Sequence, residues 1–182
     1  GEVLLNAPGG PEPLGAAAGD EVHRAAWEAA RDLAAALDGD AGTAPELPDG
    51  DTSRLHERLR RALAWPPARL REEASRFRAA YPEPIHVLAP ERYRDAVVLP
   101  ALGGPYHRCT FCTLHRDTAW RVLTDAELDE HLCRVASLLG ESVRARPGVF
   151  LGSGSALSLP QRRLTAILAR VAAVLGPPAR NA

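Results

Sequence analysis

The 182-residue sequence contains no lysine, no methionine and no long uncharged apolar run, and it has only three cysteines. Without about 18 consecutive apolar residues, no segment is predicted to cross a membrane. Three cysteines cannot build a disulfide framework, so we expect a reducing, cytoplasmic compartment. The formal net charge of −1 excludes the global basic excess of a nucleic-acid-binding chain, and no nucleic-acid partner is predicted. Because the chain starts at Gly1 and lacks methionine, we expect it to be a piece of a longer protein.

Residues 1–82 are predicted to form a helical N-terminal segment. Their first 18 residues are rich in Gly, Pro and Ala and are expected to be loose. Apolar side chains then recur at helical spacing in three stretches. These stretches are residues 20–37, a run that starts at 51–53 and stops at Pro66, and residues 67–80. A loop composition separates the first two, at residues 39–50.

Residues 83–182 alternate between short apolar runs and helical patterns. The predicted strands are PIHVLAP (84–90), DAVVLPAL (95–102) and the start of GVFLGSGSAL (148–157). The sequence T-x-x-E at Thr124 is a capping box that opens a helix, and Gly140 closes it. A last helix follows Pro160 and ends at Gly176. Strand, helix, strand, helix in this order predicts an α/β fold with parallel strands covered by helices.

A C-x2-C motif follows the second predicted strand, in GGPYHRCTFCTLHRD (103–117). Its thiols are Cys109 and Cys112, and Phe111 stands between them. Together with the apolar strand before it, the capped helix and VFLGSGSAL after it, this loop resembles the start of a radical SAM domain. The resemblance covers about residues 84–175.

This resemblance implies that residues 83–182 are the N-terminal, truncated portion of a TIM-like (β/α) barrel. It implies a 4Fe-4S cluster held by three cysteines, with S-adenosylmethionine bound to the open iron. One electron from the cluster then cleaves the sulfonium bond and yields a 5′-deoxyadenosyl radical. An electron donor such as flavodoxin or ferredoxin is implied, together with a small-molecule or peptide substrate of unspecified kind.

The resemblance also assigns roles to residues of this chain. It makes Cys109 and Cys112 cluster ligands and Phe111 the contact to the adenine. It makes Gly152, Ser153 and Gly154 the turn that approaches the methionyl end. The third cluster cysteine is missing, because the family spacings place it at Gly104 or at Pro105. The nearest replacement ligands are His107 and His115. Whether the chain is an active enzyme therefore stays open at this point.

The alternative prediction is a non-catalytic structural or interaction module with a zinc-binding or redox C-x2-C motif. One zinc set adds His131 and Cys133 to the two cysteines, but these residues lie about 200° apart around a helix and cannot face one ion. A compact set would be His107, Cys109, Cys112 and His115. A redox C-x2-C opens a helix directly, whereas here TLHRDTAWRVL intervenes. Cys133 is expected to be a partly buried side chain.

Overall fold

The computed structural model describes residues 4–7, 10–39, 52–85, 88–106, 108, 110–111, 113–115, 118–153 and 156–176. The chain forms two compact units, residues 1–75 and 76–182. The predicted loop at 39–50 lies outside the described residues from position 40 onward. No helix in the described ranges combines the length and the apolar character needed to cross a membrane.

The first unit is mainly helical, as predicted. Its helices are α1 (Ala16–Asp38), α2 (Thr52–Leu63) and the first part of α3 (Pro67–Ala80), inside which the division between the units falls. Trp27 of α1 donates a hydrogen bond from Nε1 to the carbonyl of Leu63, at 3.2 Å.

The prediction that residues 1–18 are loose is wrong. Strands β1 (Leu4–Ala7) and β2 (Gly10–Pro13) form an antiparallel hairpin directly before α1. Gly10 opens β2 with a φ of 117°, a backbone conformation that glycine adopts without steric cost. The sequence does not predict this hairpin, because its residues are rich in Gly and Pro and show no alternation of apolar and polar side chains. The two strands pair through backbone groups.

The second unit is α/β, with a three-stranded mixed sheet in its described part. Its elements are β3 (Ala96–Leu102), β4 (Arg121–Val122), α4 (Asp125–Leu139), β5 (Val149–Ser153) and α5 (Gln161–Leu175), with 3₁₀ turns at Pro90–Arg92, Gly140–Ala145 and Ala156–Ser158. The strand order is β4-β3-β5, with β3 parallel to β5 and antiparallel to β4. The predicted parallel pair joined by a helix is confirmed.

Two sequence predictions for this unit need correction. The strand expected at 84–90 is absent from the described residues of that run, which are irregular up to the 3₁₀ turn that starts at Pro90; positions 86–87 lie outside the described residues. Prolines at both ends of that run remove backbone donors that a sheet ladder requires. The sequence also gave no signal for β4, because two residues are too few to show a period.

The core of the second unit surrounds β3, whose seven residues are all buried. This burial confirms the prediction that an unbroken apolar run is covered on both faces. The largest fully buried side chains come from β3, α4 and α5; they are Val98, Leu99, Pro100, Leu128, Leu132, Val135 and Ile167. The ladder to β5 shifts register between Val98 and Ala101, where Pro100 has no N–H to donate.

One edge of β3 pairs with β5, while the other is completed largely by side chains. The N–H of Ala96 donates to the carbonyl of Gly148 on the β5 side, at 2.9 Å. Successive residues of a strand alternate between its edges, so Val97 and Leu99 face away from β5. On that far edge, the hydroxyl of Tyr81 donates to the carbonyl of Val97, at 2.9 Å.

His131 of α4 satisfies two further backbone groups on this side of β3. The N–H of Leu99 donates to its Nε2 atom at 2.9 Å, and its Nδ1 atom donates to the carbonyl of Ala80 at 3.0 Å. The ring is therefore neutral, with its proton on Nδ1. Burial is the largest cause that holds the pKa of His131 below its usual value.

The start of α4 confirms the predicted capping box. Thr124 Oγ1 accepts a hydrogen bond from the N–H of Glu127, whose carboxylate accepts one from the N–H of Thr124 in return. Hydrogen bonds from the backbone of Thr124 are the largest cause of the lowered pKa of Glu127. Glu127 also accepts a hydrogen bond from Arg121 at 2.7 Å, so one carboxylate joins β4 to α4.

We predict that His131→Leu destabilises the protein by about 1–3 kcal/mol for each buried backbone group that loses its partner. The cost should be greatest above about pH 6.5, the pKa of an unfolded histidine. As pH falls below that value, protons bind the unfolded wild-type chain preferentially, because the pKa of native His131 is lowered. The stability gap between wild type and variant therefore narrows on acidification.

Urea unfolding at several pH values measures this gap. Cys133→Ser, at an exposed position on the same helix, is the control and should change stability by less than about 0.5 kcal/mol. A gap that does not change with pH would refute the assignment of a neutral, buried imidazole.

Candidate functional site

The cysteine-bearing loop starts where β3 ends and returns to the sheet at β4. Ala101 pairs with Val122 and Leu102 pairs with Arg121, so the two ends of the loop are joined by antiparallel backbone pairing. The N–H of Leu123 adds a hydrogen bond to the carbonyl of Pro100, at 3.0 Å. Residues 103–118 therefore form a closed excursion from the sheet, and we call residues 103 and 118–119 its neck.

Gly103 is required at the neck. Its φ is +73°, in the left-handed region that favours glycine. A Cβ at this position would lie 2.5 Å from the carbonyl oxygen of Thr118 and 2.8 Å from that of Ala119. The two arms of the loop thus approach each other through backbone atoms alone.

Glu83 anchors the first arm of the neck from outside the loop. Its side chain is buried, with 6% of the residue exposed. The N–H of Gly103 donates to its Oε1 atom, at 2.9 Å. This hydrogen bond fixes the backbone of Gly103, which directly follows the last residue of β3. No sequence pattern predicts this role of Glu83, because nothing in its neighbourhood marks an acidic residue as a partner of a backbone N–H.

Gly104, the expected position of the first cluster cysteine, lies beside His115. A Cβ on Gly104 would be 3.4 Å from Cβ of His115 and 3.5 Å from its Cδ2 atom, which are ordinary van der Waals distances. Its φ is outside the left-handed region, unlike that of Gly103. Position 104 can therefore accept a Cβ without backbone strain or steric clash.

Exposed apolar side chains follow the carboxyl ends of both parallel strands. Phe111, in the loop after β3, is 89% exposed, and Leu157, in the turn after β5, is 86% exposed. Tyr106 is a second exposed aromatic residue in the first of these loops. Parallel strands end at the same edge of a sheet, which is where α/β proteins bind ligands.

The predicted methionyl-binding turn begins inside β5. Gly152 and Ser153 are the last two residues of this strand, and Ser153 pairs with Ala101. A Cβ on Gly152 would lie 3.1 Å from Cγ1 of Val97 and 3.2 Å from Cδ1 of Phe150, so close packing favours glycine there. Gly154 lies outside the described residues, and the role of the three residues in binding the cofactor stays a prediction.

The other predicted ligands divide between described and undescribed positions. Cys109, Cys112 and His107 lie outside the described residues. His131 and Cys133 are on different sides of α4, since the first is buried and the second exposed. His131 uses both ring nitrogens for backbone hydrogen bonds, so it is not available to a zinc ion. The expectation that Cys133 is partly buried is wrong, because its position on the helix points away from the core.

Among the described residues, no group of three or more His, Cys, Asp or Glu side chains is placed to hold a metal. A cavity of about 540 Å³ lies at the opposite end of the sheet, lined by residues that include Ala96, Arg146 and Gly148 at the amino ends of β3 and β5. None of the predicted ligands lines it. The cavity therefore lies apart from the residues that the sequence predicts as a site.

We predict opposite effects of alanine at the two adjacent glycines. Gly103→Ala should cost more than about 2 kcal/mol, because it combines a left-handed backbone with a clash against backbone atoms. Gly104→Ala should be neutral or stabilising by up to about 1 kcal/mol, because its backbone is unstrained and the added Cβ meets His115 at ordinary van der Waals distances. Urea unfolding measures both variants, and equal effects would show that the neck is not formed as described.

Comparison with known proteins gives no relative: no protein-family model, no curated protein and no solved structure matches this chain. The resemblance to radical SAM proteins thus stays a prediction that rests on the loop residues. The functional conclusion has to come from the chemistry of those residues and from their place in the fold.

Proposed function

We propose that this chain is the N-terminal part of a radical SAM protein. In this proposal, β3, α4, β5 and α5 are the first two units of a TIM-like barrel. The observation that carries the proposal is the position of the cysteine loop. It begins at the carboxyl end of a buried parallel strand, beside the carboxyl end of the next parallel strand. Barrels of β/α units carry their chemistry at this end.

The donor set of the loop fits an iron–sulfur cluster. Cys109 and Cys112 supply two thiolates, which are the ligands that iron–sulfur clusters prefer. At Gly104, the position that the resemblance assigns to a third ligand, a Cβ can be added at ordinary van der Waals distances. The neck holds the two arms of the loop together before any metal is bound, which lowers the conformational cost of gathering the ligands.

The cluster and S-adenosylmethionine, when bound, supply one-electron cleavage to a 5′-deoxyadenosyl radical. The chain itself provides binding and orientation. Phe111 offers an exposed aromatic face on which adenine can stack. Gly152, Ser153 and Gly154 provide backbone groups at the end of β5 for the methionyl part. A flavodoxin or ferredoxin would supply the electron, and the substrate is a small molecule or a peptide.

The alternative is a zinc-binding or redox module. A redox C-x2-C lowers its thiol pKa at a helix N-terminus. Here the described residues between the motif and Thr124 contain no helix, and α4 begins only at Asp125. A zinc site remains the competing function, with the compact ligand set of the loop. Metal and sulfide analysis separates the two, because a zinc site contains no acid-labile sulfide.

We predict that Gly104→Cys increases cluster occupancy at least about threefold after anaerobic reconstitution with iron and sulfide. The variant adds a third thiolate where the backbone is unstrained and the nearest atoms are 3.4 Å away. Gly15→Cys is the matched control, since it also adds one thiol at an open glycine but lies in the other unit. Iron and sulfide content unchanged in Gly104→Cys would refute the alignment of the loop with the cluster motif.

We predict that Phe111→Ala weakens binding of S-adenosylmethionine to the reconstituted protein at least about fivefold. Loss of stacking on one base costs about 1–3 kcal/mol. Tyr106→Ala, which removes another exposed aromatic side chain from the same loop, should have a smaller effect. Calorimetric titration measures the affinities, and iron analysis should show equal cluster content. Equal losses of affinity in both variants would argue against an adenine contact by Phe111.

A further inference from the structure

The cavity at the amino ends of β3 and β5 lies at the opposite end of the sheet from the cysteine loop, and its volume is about 540 Å³. This volume is in the range of sites that hold small molecules. Much of its wall is apolar, and the apolar residues that line it are Ala96, Val143, Val149, Ala173, Val174 and Leu175. The cavity thus has the room and the apolar surface to hold a small molecule of partly apolar character.

Two arginines give this cavity a positive wall. Arg144 and Arg146, at the end of the 3₁₀ turn that follows α4, both line it. Among the ion pairs that the described residues form, neither arginine has a carboxylate partner. The buried carboxylate of Asp95 lies against Gly148 and is paired with Arg92 at 3.3 Å. The two guanidinium groups are therefore available to the carboxylate of a ligand.

The carboxyl end of α5 gives the cavity a second polar wall. Residues 173–176 line the cavity and include the last three residues of the helix. The N–H of Gly176 donates to the carbonyl of Ala172, at 3.1 Å. The carbonyls of Ala173 and Val174 would need the N–H groups of residues 177 and 178, but both are prolines and have none. This helix end therefore offers hydrogen-bond acceptors and a partial negative charge, which favour an ammonium group.

We propose that this cavity binds a free α-amino acid with an apolar side chain. Its carboxylate lies against Arg144 and Arg146, its ammonium group lies at the end of α5, and its side chain lies along the apolar wall. A simple carboxylate would leave the helix carbonyls without a donor, and a simple amine would leave the guanidinium groups without an acceptor. The inference is independent of the proposed function, because it uses no residue of the cysteine loop.

The test uses phenylalanine and three analogues, each of which lacks one of its groups. These are 3-phenylpropanoate without the ammonium group, 2-phenylethylamine without the carboxylate, and glycine without the side chain. An NMR titration of the full ¹⁵N-labelled chain at neutral pH measures the affinities from the amide signals of Gly148 and Gly176, which line the cavity. Phenylalanine should bind at least about fivefold more tightly than each analogue, because each analogue loses one of the three contacts.

Arginine variants test where the carboxylate binds. Arg144→Gln and Arg146→Gln should each weaken phenylalanine binding at least about fivefold, since each removes a charged partner of the carboxylate. Arg162→Gln is the matched control: it removes an exposed arginine at the other end of α5, away from the cavity, and should leave the affinity unchanged. Arg144 is itself exposed, so its loss should not disturb folding, and a circular dichroism spectrum equal to that of the wild type checks this.

Three outcomes would overturn the proposal. In the first, phenylalanine causes no saturable shift of the two glycine amide signals. In the second, 3-phenylpropanoate or 2-phenylethylamine binds as tightly as phenylalanine. In the third, Arg162→Gln lowers the affinity as much as Arg144→Gln and Arg146→Gln do. None of these outcomes affects the proposed function, which is tested by metal and sulfide content.

Discussion

The far edge of β3 has to satisfy its backbone hydrogen-bonding groups without a full-length strand partner. An unpaired buried N–H or carbonyl costs about 1–3 kcal/mol of folding free energy. The elements that pack beside this edge therefore have to provide hydrogen-bond partners for it. Tyr81 and His131 provide the partners for Val97 and Leu99, and the two-residue strand β4 follows them. Just beyond the end of β3, Glu83 accepts a hydrogen bond from the N–H of Gly103. The position of α4 and of residues 80–83 is thus tied to one strand edge.

This row of partners connects the core of the second unit to its candidate site. Beyond this row, Glu83 accepts a hydrogen bond from the first residue of the cysteine loop, and the end of β3 pairs with β4, where the loop returns. From β4, Arg121 reaches the capping carboxylate of Glu127 at the start of α4. The cysteine-bearing loop therefore begins and ends on parts of the fold that are fixed by hydrogen bonds.

The sequence predicted the elements whose signals are local and strong. β3 was visible as an unbroken apolar run, and α4 as a helix opened by T-x-x-E. β4 was not visible, since it pairs through two residues and carries no periodic pattern. In the site, the C-x2-C motif and the glycine at 104 were visible. The contact between residues 104 and 115 was not, because it depends on loop closure by backbone groups. For His131 the sequence indicates only a possible zinc ligand. Its structural role depends on which edge of β3 lacks a strand partner, and the sequence does not show this.

Closure of the neck has a thermodynamic consequence for how this loop can change during evolution. The entropy lost when the ends of a loop meet is here lost once, on folding, through the pairing of β3 with β4. The residues between the two ends then do not need to contribute to loop closure. Substitutions between the two ends of the loop are therefore expected to have little effect on the stability of the second unit. The identity of these side chains can change in evolution while the fold is retained.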